Sequence, residues 1–110
     1  MVRPIPRKLL IHTIDYKHLA ENNGWDDEFD EPIKITRVRV MPTSRIHRTV
    51  QSEGREATHR VIIDRQYSEP FLEPSEGSRV VWRGKEFTVG RVSAHYDFSE
   101  IPHHYEVELW

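Results

Sequence analysis

The chain contains no cysteine. That excludes a disulfide framework and any Cys-ligated metal site, and it fits a reducing compartment. Glycine is scarce: five residues lie scattered, so no Gly-rich phosphate cradle can form. No apolar run approaches the ~20 residues of a bilayer-spanning helix. The basic start, Met1-Val-Arg-Pro-Ile-Pro-Arg-Lys, leads only into Leu9, Leu10 and Ile11, too short for the apolar region of a signal peptide. The expectation is a soluble chain made without export and without membrane contact. Basic excess is missing too, because the net charge is −2, so no bulk field draws in nucleic acid. What is present is 110 residues, enough for one domain spanning 1–110. Its 36% hydrophobic and 31% charged residues put a small core under a highly charged surface, the balance of a small barrel or an assembly subunit.

Strand-like patterning dominates. Residues 7–16 mix β-branched and apolar side chains and predict a first strand, while Pro4 and Pro6 keep the preceding tail extended. Residues 33–42 predict the clearest strand, with Val38 and Val40 on one face and Arg37 and Arg39 on the other. Residues 58–64 predict another. Phe71 and Leu72, between prolines and acids, read as a plug for the core. Arg79–Trp82 and residues 86–96 predict a hairpin around Gly84-Lys85, with Gly first in the turn, and Gly90 predicts a bulge in the return strand. A short loop at 97–102 follows. Residues 104–110 close the sheet with Tyr105, Val107 and Leu109 inward. Trp82, Phe87, Val89 and Tyr96 join the predicted core. About six short strands and no convincing amphipathic helix predict an all-β fold, a small SH3-like barrel whose closure removes its edges.

Two loops interrupt the pattern. Residues 17–32 hold Lys17 against six Asp and Glu, and Asn23-Gly24 signals a turn. A short helical turn fits 17–22, and Trp25 and Phe29 would pin this acidic loop to the barrel. Residues 33–43 then carry Lys34, Arg37 and Arg39 with no acid. Opposite patches, Asp26, Asp27 and Asp30 against Arg37 and Arg39, suit head-to-tail contact between identical copies; plain solvated surface is the competing reading. Residues 43–57 lack a period. A connection this long in a compact domain is more often functional than decorative. Ile46 and Val50 would anchor it locally, while Arg45, Arg48 and Arg55 would meet solvent.

Catalytic and metal-binding signatures are missing from the sequence pattern. Seven histidines show no ligand spacing such as His-Glu-x-x-His, and adjacent His103 and His104 would point to opposite faces of a strand. In the acidic run, starting a calcium loop at Asp26, Asp27 or Asp30 puts Glu31, Pro32 or Ile35 where Gly is required. No Ser sits in a nucleophile-elbow context. The expectation is a non-enzymatic protein without cofactor or metal.

Several segments carry a family resemblance. Ile5-Pro-Arg-Lys-Leu-Leu-Ile-His-Thr, Val38-Arg-Val-Met-Pro-Thr-Ser, Gly84-Lys-Glu-Phe-Thr-Val and His103-His-Tyr-Glu-Val-Glu-Leu resemble the small minor capsid protein family of tailed phages and prophages of Gram-positive bacteria. The family resembles head-completion, or stopper, proteins of the head–tail connector. The resemblance implies a stopper-type β-barrel that forms a ring under the portal and closes the DNA channel. Its location would be the virion neck after synthesis in the bacterial cytoplasm. Its partners would be further copies of itself, portal or adaptor proteins, tail-completion proteins and, nonspecifically, packaged DNA. The channel loop would be 43–57, bearing Arg45, Ile46, His47, Arg48, Val50 and Arg55; its arginines depart from a purely hydrophobic plug. A tail-completion or adaptor role on the same barrel is the alternative. A more distant one is an SH3- or OB-like nucleic-acid-binding module, with strongly salt-dependent binding.

Overall fold

Alternation along the last strand sets the inside of the molecule: Tyr105, Val107 and Leu109 are buried while His104, Glu106 and Glu108 face outward. The computed structural model describes residues 6–22, 27–43 and 57–110. Its strands are β1 (His12–Lys17), β2 (Leu19–Asn22), β3 (Asp27–Phe29), β4 (Ile33–Pro42), β5 (His59–Asp64), β6 (Arg79–Trp82), β7 (Lys85–His95) and β8 (His104–Leu109). Six of them close an antiparallel barrel in the order β1-β4-β5-β8-β7-β6, and β2 with β3 forms a separate hairpin. The all-β barrel expected from the sequence is therefore present. Its core gathers Ile14, Tyr16, Ile35, Val38, Val40, Val61, Ile63, Val80, Phe87 and Val89 with the three inward residues of β8. Phe71 and Leu72 pack on this core as a plug, Phe71 stacking on Tyr105 at 5.1 Å, and Trp82 packs against it from the side.

Two departures from alternation shape the barrel. On β4 the buried residues Ile35 and Val38 are three apart. Opposite them on β1, Ile14 and His12 are only two apart, so β4 carries one extra residue. Arg37 absorbs it in the left-handed region, at φ 56°. Its carbonyl accepts a 2.6 Å bond from the Ser68 hydroxyl, and Thr36 pairs with Glu69 by two backbone bonds. On β7 the register shifts between Val89 and Val92, where Gly90 was expected to bulge.

The structure corrects several expectations. Residues Arg7–Leu9 form a 3-10 turn, closed by the Leu9 N–H on the Pro6 carbonyl, so the first strand starts at His12. The β6–β7 turn is Arg83-Gly84 rather than Gly84-Lys85, because Trp82 and Lys85 still pair. Both turn residues have positive φ, 51° and 76°, the geometry that matches the twist of a tight hairpin. Arg83 accepts that strain with its guanidinium 4.5 Å over the Trp82 ring. Tyr96 lies beyond the end of β7 and is exposed, not core.

The acidic segment 17–32 holds no helical turn among its described residues; it is the β2–β3 hairpin. Buried Ser78 fastens it. The Leu19 N–H and the Tyr16 hydroxyl both donate to the Ser78 hydroxyl, and Tyr16 in turn accepts the Ser75 N–H at 3.0 Å. Phe29 lies 5.0 Å from the Arg79 guanidinium, as an expected pin. Trp25, the other pin, lies outside the described residues.

Candidate functional site

The predicted site residues separate. Arg45, Ile46, His47, Arg48, Val50 and Arg55 lie outside the described residues. Their segment joins β4 to β5, and its two ends are held together: the Thr43 N–H donates to the Thr58 carbonyl at 3.0 Å and the Thr43 hydroxyl to the Ala57 carbonyl at 2.8 Å. Asp26 also lies outside the described residues, as does the side chain of Asp27, whose backbone pairs with Asn22. Asp30 is exposed after β3, its N–H donating to the His18 carbonyl. Arg37 and Arg39 project from the outer face of β4, and Arg39 reaches the Leu9 carbonyl at 3.5 Å.

Arg37 belongs to a groove. About 820 Å³ in volume, it runs between the Arg7–Leu9 turn, the start of β1 and the β4 bulge. Arg7, Lys8 and Arg37 make its lining basic, and Leu10 and Ile11 make it apolar. Leu10 is buried at its base, whereas Ile11 is 64% exposed. His12 forms one wall. Its Nδ1 accepts the Val40 N–H at 2.9 Å, and its ring meets Trp82 edge-on. Burial, reinforced by Arg39 and Arg83, holds His12 below the usual histidine pKa, which favours the neutral ring that accepts this bond.

The sequence reading missed a second surface, the β7–β8 connection. Phe98 is 89% exposed, with Tyr96 at 57% and Ile101 at 55% beside it. Three large apolar side chains in one short loop are costly to leave in water. The loop is nonetheless firmly built. Arg65, just after β5, bonds Asp97 Oδ2 and the Ile101 carbonyl, both at 2.8 Å. Asp97 Oδ1 accepts the Ser99 N–H at 2.8 Å, and the Ser99 hydroxyl accepts the Ile101 N–H. The Arg65 hydrogen bond, with help from Ser99, holds the Asp97 carboxyl below the usual range. The available signal was a phenylalanine with no strand pattern around it, following an aspartate that closes a turn on the residue two ahead.

At the base of this loop stand His95 and His104, stacked at 4.6 Å, with Glu106 beside them. His104 is held below the usual histidine pKa by burial first and then by His95 and His103.

Strand order roots the two surfaces in different strand pairs. The groove belongs to the β1–β4 pair and the loop to the β8–β7 pair. In the closed order, β5 separates these pairs on one side and β6 on the other. The loop therefore issues from a different strand pair, and Arg65, which braces it, follows Asp64 of β5, whose N–H shares the Ser68 hydroxyl with the Arg37 carbonyl. Its exposed acid, Glu100, is complementary to a groove lined by Arg7, Lys8 and Arg37. The molecule thus offers an acidic apolar knob and a basic apolar recess.

Among the described residues no helix is long and apolar enough to cross a membrane. No curated protein and no solved structure matches the chain. A family model described as minor capsid protein matches residues 6–109. That match takes in the whole barrel, both surfaces and the loop between β4 and β5, and it shows that the chain belongs to the minor capsid protein family, whose members are structural components of the virion.

Proposed function

We propose that this minor capsid protein is a ring-forming subunit of the head–tail connector, non-enzymatic, which closes the DNA channel beneath the portal. The observation that carries the reading is that the barrel carries both a braced, exposed Phe98 loop and a separate basic apolar groove. Contacts of that kind are heterologous: each copy offers its loop to one neighbour and its groove to the next, which generates rings when the rotation closes. A preorganised loop loses little entropy on docking, and an exposed aromatic is the residue type that most often anchors such a contact. Weak contacts suffice when a portal or adaptor ring gathers the copies and raises their effective concentration.

In such a ring the segment 43–57 would serve as the channel loop. Its ends leave the barrel at one point, between Thr43 and Ala57. Arg45, Arg48 and Arg55 would then supply sequence-independent contacts to the phosphates of the DNA end, and loops of neighbouring copies would complete the closure.

The reading is tested in phage particles that carry variants of this chain. Shortening the segment within residues 45–55 leaves the barrel folded and gives heads that package DNA but lose it. Phe98→Asp, at an exposed position, leaves stability within ~0.5 kcal/mol and gives heads without this protein. Full heads that retain DNA with either variant would overturn the reading.

A further inference from the structure

We infer that His95, His104 and Glu106 form a surface site for a first-row divalent transition-metal ion, zinc foremost, which clamps β7 to β8 at the root of the Phe98 loop. The residues come together through the sheet register. His95 and His104 are directly paired across the two strands, and Glu106 follows His104 by two residues on the same outward face. No sequence motif announces this, because the first two ligands are related by the ladder and not by spacing along the chain.

The atoms that would ligate already converge. Nε2 of His95 lies 3.3 Å from Glu106 Oε2, and Nε2 of His104 lies 3.8 Å from Glu106 Oε1. All three ligand atoms fall within 4.8 Å of one another. Tetrahedral zinc with bonds of about 2.0–2.1 Å holds neighbouring ligand atoms roughly 3.3–3.4 Å apart, so closure is a matter of an ångström or so. His95 is the ligand free to make that adjustment. Its ring is exposed, and turning it out of the parallel stack lets both Nε2 lone pairs point at one ion. His104 is the fixed ligand. Its Nδ1 lies 2.9 Å from Nδ1 of buried His103, one of the two carrying the hydrogen. With that hydrogen on His104 Nδ1, the bond donated to His103 is the usual far-side support of a metal-ligating histidine, and it leaves the Nε2 lone pair for the metal.

Two imidazoles and a carboxylate suit zinc and its neighbours and suit magnesium or calcium poorly. Three protein ligands at an open surface leave the remaining position to water. Arg60 opposes the ion, because its Nη1 lies 4.0 Å from Glu106 Oε2. It supplies a variant expected to strengthen binding.

The test uses the full chain without any histidine tag. Calorimetric titration with zinc chloride gives one ion per chain, while magnesium chloride gives no heat. His95→Ala and His104→Ala each abolish the one-to-one event. Because His95 is exposed, its variant keeps the native circular dichroism spectrum. His103→Phe, which removes only the support, weakens zinc about 10–100-fold. Arg60→Gln tightens it. Zinc that fails to bind, or that binds equally well to His95→Ala, would overturn the site.

Discussion

Arg37 shows how a single residue can hold a strand in place against its own preference. A left-handed φ costs a side-chain-bearing residue about 1–2 kcal/mol, yet the bulge it makes puts both Ile35 and Val38 in the core. Arg37→Gly should therefore leave stability within about 1 kcal/mol, since relief of strain offsets the flexibility gained by the unfolded chain. Arg37→Val, with a branched Cβ at positive φ, should cost about 1–3 kcal/mol. Urea denaturation of both variants checks this; equal midpoints would mean that the bulge is not strained. The sequence placed Arg37 on the outer face correctly. It could not reveal the extra residue, because β-branched Thr36 beside an arginine looks like any edge of a strand. The same blindness moved the β6–β7 turn by one residue: Gly84 marked a turn, but the turn type fixes which neighbour joins it, and here that is Arg83.

At the scale of elements, strands with clean alternation were legible and the elements built by tethering were not. β4, β5 and β8 carry their apolar residues on one face, so their existence follows from period alone. The β2–β3 hairpin is rich in Asp, Glu and Asn, poor strand formers. It exists because Ser78 and Arg79 fasten it to the barrel at Leu19 and Phe29, and the Asp30 N–H closes its base on the His18 carbonyl. The Phe98 loop is a second tethered element, and its tether titrates. With its carboxyl held low by Arg65, Asp97 keeps the brace at neutral pH. The stabilisation is present above the unfolded carboxylate value and is lost as pH falls through the lower folded one. Carbon-13 NMR of the Asp97 carboxyl should show a midpoint below that of an ordinary aspartate, and Arg65→Ala should return it toward the ordinary value. A normal midpoint in the unaltered chain would mean that the loop is not braced in solution.

Taken whole, the molecule is a closed barrel with two unlike surfaces rooted in different strand pairs, and this arrangement supports reading it as one unit of a ring. The long connection between β4 and β5 was legible as an interruption of the strand pattern, while its arginines lie outside the described residues. The knob and the groove were not legible, since strand order around a barrel brings together residues that spacing cannot relate. One global property follows from His12, whose pKa is held below 6.5 by burial and by Arg39 and Arg83. The unfolded chain gains that proton first, so stability present above 6.5 falls as pH drops through the depressed folded value. The urea midpoint should decline as pH falls below 6.5, and His12→Gln should lessen the decline; an undiminished decline would place its origin elsewhere.

The central claim, head-to-tail contact between the Phe98 loop and the groove, has a direct measurement because the chain has no cysteine of its own. Phe98→Cys and Ile11→Cys in one chain place a thiol on each surface. After mild oxidation of assembled phage particles, non-reducing electrophoresis should show a ladder of dimers, trimers and higher species that collapses on reduction. Either single variant should give no more than dimers. A double variant that yields nothing beyond what the single variants give would contradict the account.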